Sequence, residues 1–128
     1  MSVSVQVEPE TGVAIICCSG VMGRADAEEG ATALWRAPGW AGKSAIWDFR
    51  DARFDLSSAE VREMAQFILR HQPVPPPSRV AFVTGRDVDF GLARMYEAHR
   101  EDSRTAFRVF RDYDEAVRWT GALAPEAP

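Results

Sequence analysis

Hydrophobic and polar residues alternate strictly at the start of the chain, and the period of the pattern then changes. In SVSVQVE (residues 2–8), valines occupy every second position and polar residues occupy the others. A period of two with one polar face predicts a half-buried strand at the edge of a sheet. A turn follows at PETG, and the next segment, VAIICCS (13–19), is apolar throughout. It predicts a second strand, covered on both faces, that forms an antiparallel hairpin with the first.

The rest of the chain alternates between helical and strand periodicity. Helices are predicted at 24–35, 57–72, 87–102 and 112–121, and strands at 44–49, 79–84 and 106–111. The order β-β-α-β-α-β-α-β-α predicts right-handed crossovers and a mainly parallel sheet. The fold class is therefore α/β, with a mixed, mainly parallel five-stranded sheet, an antiparallel N-terminal edge strand and about four helices. We expect one domain over residues 1–121, followed by a flexible C-terminal tail at 122–128.

The helix predicted over 87–102 has an unusual first turn, because Phe90 and Gly91 lie where a good helix start favours neither. A rotation of 100° per residue places the core-facing residues on one stripe. That stripe comprises Val88, Leu92, Met95, Tyr96 and His99. Phe90 and Arg94 fall on the opposite side, and aromatic and arginine residues are enriched in interface centres. Phe90, Gly91 and Arg94 are therefore interface candidates; alternatively, Phe90 precedes the helix and folds onto the core, leaving an ordinary Arg94–Glu97 pair.

Composition narrows the class of protein. The chain has 128 residues, of which 46% are hydrophobic and 27% are charged, as in an ordinary soluble domain. The net charge is −4 with acids and bases intermixed, which argues against a nucleic-acid partner. No segment is apolar over the length of a membrane span, so membrane insertion is not expected. The N-terminus lacks the pattern of a secretory signal, and we expect a cytoplasmic protein.

No catalytic motif or cofactor-binding fingerprint occurs, so we expect neither enzymatic activity nor a cofactor. The histidines, His71 and His99, lie on predicted helices and suit a helix end and a core boundary. Cys17 and Cys18 are adjacent on a predicted strand, where side chains point to opposite faces. They are badly placed to bond to each other, and two cysteines alone make no zinc site. We expect no metal site and interpret both as small apolar residues of a buried strand.

Two segments next to predicted strand ends suggest binding or modification. Ser57 and Glu60 match a capping box at a helix start, although a serine there is also suited to phosphorylation, since a phosphate would meet free amides. Thr84-Gly85-Arg86-Asp87 joins a strand to a helix at the carboxyl edge of the sheet, where ligands bind in open α/β folds. Arg86, together with Arg50 and Arg53, is a candidate for anion binding; Arg86 alternatively pairs with Asp87 or Asp89.

Taken together, four segments resemble a known superfamily: the N-terminal hairpin, IWDFRDARFDLSSAEV, RVAFVTGRDVDFGLARMYEA and the ending RVFRDYDEAVRWT. The chain resembles the SpoIIAA-like superfamily, which holds the STAS (anti-sigma-factor antagonist) domains and the CRAL-TRIO lipid-binding domains. The ending is similar to that of small, mostly uncharacterised bacterial members. The resemblance covers nearly the whole chain and rests on the order and spacing of the segments.

The resemblance implies a phosphoacceptor serine or threonine at the start of the helix after the third strand, within a D-S-S-G-like run. Ser57 and Ser58 stand at the matching place. The sequence departs from the pattern there, since Leu56 separates the aspartate from the serines, Ala59 replaces the glycine and Glu60 would repel a phosphate. Lipid-binding relatives contact headgroups through basic residues and a strand–helix loop, although this chain is short for a full lipid pocket.

The sequence thus predicts a non-enzymatic regulatory or protein-interaction module of the STAS-like kind, with a protein partner or a homodimer. The alternative is a binder of a small anionic or lipid-like ligand at the carboxyl edge of the sheet.

Overall fold

The computed structural model describes residues 2–40, 42–72, 76–100 and 104–123. Within these ranges there are five strands, β1 (Ser2–Val7), β2 (Ala14–Met22), β3 (Ala45–Phe54), β4 (Arg79–Thr84) and β5 (Ala106–Phe110). The same ranges contain four helices, α1 (Arg24–Trp35), α2 (Ser58–His71), α3 (Asp87–Ala98) and α4 (Tyr113–Thr120).

The strands form one sheet in which spatial order follows chain order, from β1 at one edge to β5 at the other. β1 pairs antiparallel with β2, and every later pair is parallel. The predicted fold class is confirmed. β2 and β3 are longer than predicted because they continue past a register shift between Cys17 and Ser19, where β3 contains one extra residue.

The two faces of the sheet are covered unequally. Helices α1, α2 and α3 cover one face, over a core that includes Trp47, Phe49 and the half-buried valines of β1. Helix α4 packs Ala116 and Val117 against the other face, over β3, β4 and β5. Three helices therefore cover one face, whereas the β1–β2 part of the other face is left with α4 only at its side.

This unequal coverage corrects the prediction for β2. Cys18 is buried beneath the helices, as expected for a small apolar residue, but Cys17 on the other face is exposed. Both thiols are free. The all-apolar strand predicts coverage on both faces, yet α4 packs on β3, β4 and β5 and leaves Cys17 of β2 exposed.

The ends of two predicted segments lie partly outside the described residues. Helix α3 ends at Ala98, and positions 101–102 of its predicted range are not among the described residues. The same holds for positions 124–128 of the predicted tail. Ala122 packs against the core beneath α4, and the backbone N–H of Leu123 donates to Glu8 Oε1 at 3.1 Å.

Candidate functional site

Helix α3 begins directly after the carboxyl end of β4. Arg86 is its N-cap residue with extended backbone angles, and Asp87 is the first helical residue. Phe90 therefore lies inside the helix, and the interpretation that it precedes the helix is wrong. The turn before the helix is tight, because a Cβ atom on Gly85 would lie 2.8 Å from the backbone oxygen of Arg50. Only glycine permits this approach between the turn and β3.

The buried face of α3 differs from the predicted stripe. Val88 is 53% exposed and His99 is exposed as well. The buried positions are Asp89, Ala93 and Tyr96, followed by Arg100 just beyond the helix. The predicted stripe counted apolar residues and so included Val88 and His99. The buried face instead includes two charged residues, Asp89 and Arg100, which form hydrogen bonds with residues outside α3.

Asp89 is the more informative of these two residues, since its side chain is fully buried. Its Oδ1 accepts a hydrogen bond from the backbone N–H of Phe54, at the end of β3, at 3.1 Å. Its Oδ2 lies 3.7 Å from Arg86 Nε and has no hydrogen-bond partner among the described residues. The carboxylate also suits the first turn of a helix, where backbone N–H groups are unpaired. Asp89 thus joins the end of β3 to the start of α3.

Arg100, the other buried charge, belongs to a structural network at the far end of α3. Its guanidinium donates to Tyr96 Oη at 2.8 Å and to Gln72 Oε1 at 3.3 Å. It also lies 4.6 Å above the centre of the Phe107 ring. Stacking on an aromatic ring suits a buried guanidinium, which is weakly hydrated. We assign this network to the packing of α3 on the sheet.

The three interface candidates have different surroundings. Phe90 is half-buried, and the guanidinium of Arg111, not that of Arg94, lies over its ring at 5.6 Å. Arg94 is exposed and pairs with Glu97 at 2.9 Å. Gly91 is exposed, and a Cβ atom there would meet no other atom within 4 Å. Phe90 therefore shares a surface with Arg111, and Gly91 is the next residue of the helix, whereas Arg94 makes the ordinary helical pair of the alternative interpretation.

Arg111, the first residue after β5, contacts several parts of this surface. It donates to Asp87 at 2.6 Å and to the backbone oxygen of Gly85 at 3.4 Å. One arginine therefore contacts the turn before α3, the first residue of the helix and the ring of Phe90. The sequence singles out none of these contacts, because Arg111 is 24 residues away from Asp87.

The three anion-binding candidates do not converge on one pocket. Arg50 donates twice to Asp48, at 2.9 and 2.8 Å, and its guanidinium lies 4.5 Å above the ring of Tyr113. This pairing with Asp48 raises the pKa of Arg50. Arg86 is near Asp89, and Arg53 is exposed near the end of strand β3. Only Arg53 and the outer side of Arg86 face solvent without a close carboxylate contact among the described residues.

The phosphoacceptor candidates stand at the start of α2 as predicted. Ser57 is the N-cap residue, and its hydroxyl accepts from the backbone N–H of Glu60 at 3.1 Å. Glu60 Oε1 in turn accepts from the backbone N–H of Ser57 at 3.0 Å, which completes the capping box. This bond to the Ser57 backbone is the main cause of the lowered pKa of Glu60. Ser58 is exposed on the first turn.

Small apolar cavities lie between the helices and the sheet in the part of the chain that the structure describes. One of about 60 Å³ is lined by residues that include Phe49, Val61 and Ala93, and one of about 50 Å³ lies beside Trp40 and Phe107. An engineered cavity that binds benzene measures about 150 Å³. Each cavity here is smaller, so neither holds a lipid chain in this conformation.

None of the helices in the described ranges is long and apolar enough to cross a membrane.

Comparison with known proteins defines the fold. No protein-family model matches the sequence, and no curated protein matches it. The chain is similar in structure to an uncharacterised protein of the DUF3478 family, with a SpoIIAA-like fold, from Shewanella loihica PV-4. The TM-score is 0.58 at 17% sequence identity, and the match covers 93% of this chain and 92% of that one. The fold is therefore SpoIIAA-like, as the sequence resemblance predicts.

Proposed function

We propose that the protein is a non-enzymatic interaction module that docks a protein partner on the start of α3. The observation that carries the proposal is the exposure of Val88 on a rigidly held turn. We call this region the α3-start surface and define it as Arg86, Asp87, Val88, Phe90 and Gly91.

The α3-start surface has the composition of a docking site. Val88 is 53% exposed, and Phe90, on the other side of the helix, is half-buried under Arg111. Charges of both signs border these apolar residues, since Arg86 and Asp87 have side chains that are 45% and 93% exposed. Interfaces commonly combine an apolar centre with a polar rim. Gly91 adds open space on the same helix, which lets a partner approach the backbone.

The surface is also held in place from beneath. Asp89, between Val88 and Phe90, is fully buried and bonded to the backbone of Phe54. Arg111 holds Asp87 from the neighbouring strand end. A prearranged surface loses little conformational entropy on binding, so even a small apolar centre contributes to affinity.

Site-specific photo-crosslinking in the native host tests this proposal. A photoreactive residue at position 88 is compared with the same residue at Arg62, which is exposed on α2 outside the surface. We expect one discrete protein adduct from position 88 and none of that mass from position 62. The adduct should weaken when Asp87→Asn or Arg86→Ala alters the rim. Identical adducts at both positions, or none at position 88, would contradict the proposal.

The phosphoswitch at Ser57 or Ser58 and the anionic ligand near Arg50, Arg53 and Arg86 stay predictions. A phosphate on Ser57 would replace the hydroxyl that caps α2 and would face Glu60, which favours Ser58 as the acceptor of the two.

A thermal-shift titration with inorganic phosphate tests whether the protein binds a small anion near these arginines. Stabilisation that is lost in Arg53→Ala would support it, and an unchanged unfolding temperature would count against it.

A further inference from the structure

The two edges of the sheet differ in how they are protected against pairing with another strand. β5 contains Arg108 and is flanked in sequence by Arg104 and Arg111. Charged residues at an edge are a common device against edge-to-edge association. β1, at the other edge, reads SVSVQV and contains no charged residue and no proline. Its pairing with β2 is continuous, without a bulge. Within the described residues, the β1 edge therefore shows neither the charges, the proline nor the bulge that commonly protect an edge strand.

The hydrogen bonds of the hairpin show which groups this edge presents. In an antiparallel pair, alternate residues bond to the partner strand and the residues between them point their N–H and C=O groups away. The backbone N–H of Glu8 donates to Val13 at 2.9 Å, so the even-numbered residues of β1 bond to β2. The N–H and C=O groups of Val3, Val5 and Val7 consequently point outward, and β2 is the only strand that pairs with β1 within the described ranges.

We propose that this edge pairs antiparallel with β1 of a second copy of the chain, about a two-fold axis at Val5. In this register Val5 faces Val5 of the second copy, and Val3 faces Val7. Each facing pair then exchanges two backbone hydrogen bonds. Two five-stranded sheets would become one continuous sheet.

The side chains of β1 are compatible with this register. The three valines share the helix-covered face and would form one apolar row across the axis. On the other face Ser4 is placed opposite Gln6 of the second copy, and Glu8 opposite Ser2, so no like charges meet. An edge that matches itself under a two-fold rotation suits an isologous dimer. This inference is independent of the α3-start surface.

A proline substitution tests the edge without disturbing the hairpin. Val5→Pro removes an N–H group that does not bond to β2, and proline is tolerated at such edge positions. By sedimentation equilibrium, we expect wild type to dimerise and Val5→Pro to raise the dimer dissociation constant about tenfold or more, since two hydrogen bonds across the axis are lost. Unchanged circular dichroism serves as the folding control.

Charge variants at the exposed positions Ser4 and Gln6 provide a test that does not depend on the folding of the proline variant. The double variant S4K/Q6K places like charges opposite each other across the axis and should dissociate the dimer. The matched variant S4K/Q6E places opposite charges there and should keep it. A monomeric wild type, or a dimer that neither Val5→Pro nor S4K/Q6K weakens, would overturn the proposal. Photo-crosslinking at position 88 should be unaffected by all of these changes.

Discussion

The buried carboxylate of Asp89 accepts a hydrogen bond from the backbone N–H of Phe54, and this bond links the first turn of α3 to the end of β3. Replacing Asp89 by alanine leaves that part-buried N–H without its partner. We expect Asp89→Ala to lower the free energy of unfolding by about 1–3 kcal/mol, measured by urea denaturation. Asp89→Asn retains an acceptor oxygen and should cost less. Asp51→Asn, at an exposed position of β3, is the control; equal effects of the two Asp89 variants would contradict the assigned role.

Two glycines near the start of α3 should respond in opposite directions to alanine. Gly91 lies on the helix with open space around its Cβ position, so Gly91→Ala should stabilise the fold by about 0.5–1 kcal/mol. Gly85→Ala would press a methyl group against the backbone oxygen of Arg50 and should destabilise it. Thermal unfolding of both variants tests the pair. A Gly91→Ala protein that is more stable but crosslinks less at position 88 would show that this glycine serves the interface.

The capping box of α2 predicts a specific pH dependence. The folded pKa of Glu60 is lowered, first by its bond to the Ser57 backbone, so its contribution to stability is complete above the unfolded pKa and is lost as pH falls through the folded pKa. We expect the stability difference between wild type and Glu60→Gln to shrink as pH falls from about 5 to about 3.

Two observations bear on this prediction. Ser57→Ala, which removes the hydroxyl cap, should cost about 1 kcal/mol at neutral pH. A difference between wild type and Glu60→Gln that does not change with pH would show that the carboxylate charge is irrelevant to the cap.

The adjacent cysteines should differ in reactivity. Cys18 is buried, and burial raises its pKa to about 12. Cys17 is exposed, although partial burial and then Asp48 raise its pKa as well. A thiol reagent at pH 8 should therefore modify one thiol in the folded protein, slowly, and the second only after unfolding. Cys17→Ser should remove the reaction of the folded protein, whereas Cys18→Ser should leave it. Rapid modification of both thiols would contradict the burial of Cys18.

The larger apolar cavity predicts a stabilising substitution. Val61 is buried and lines it, so Val61→Ile adds one methylene that the cavity can hold. We expect a gain of about 0.8 kcal/mol in the free energy of unfolding. Val117→Ile is the matched control, because Val117 is buried on the sheet-facing side of α4 and lines neither cavity. There the same methylene should destabilise the protein by overpacking. Equal responses of the two sites would show that the cavity is not available.

Helix α3 shows what the sequence could predict and where it failed. The existence of the helix and its place after β4 follow from periodicity, as does the alternation of β1. The face that α3 buries does not, because burial of Asp89 and Arg100 depends on Phe54, Gln72 and Phe107, which come from other segments. A helical stripe that is assigned from apolar residues alone therefore predicts, wrongly, that Val88 lies in the core.

The α2 start was predictable for the opposite reason. Ser57 and Glu60 satisfy each other within three residues, so the capping box is fully encoded in a local motif. The position of Arg111 over Phe90 depends on how far β5 extends beside β4, and no local pattern indicates it. Exposure of Cys17 likewise follows from which strands α4 covers, not from the residues around the cysteine.

The sequential order of the strands also has a consequence for synthesis on the ribosome. Each new strand emerges next to the strand made just before it, so the sheet can grow in one direction as translation proceeds. The free edge of each new strand is filled when the next strand pairs with it. No later strand of the described sheet pairs with the outer edge of β1. Nascent chains on one polysome would therefore present the same unprotected edge from the moment the hairpin forms, and the first encounter between two copies can precede release of either chain.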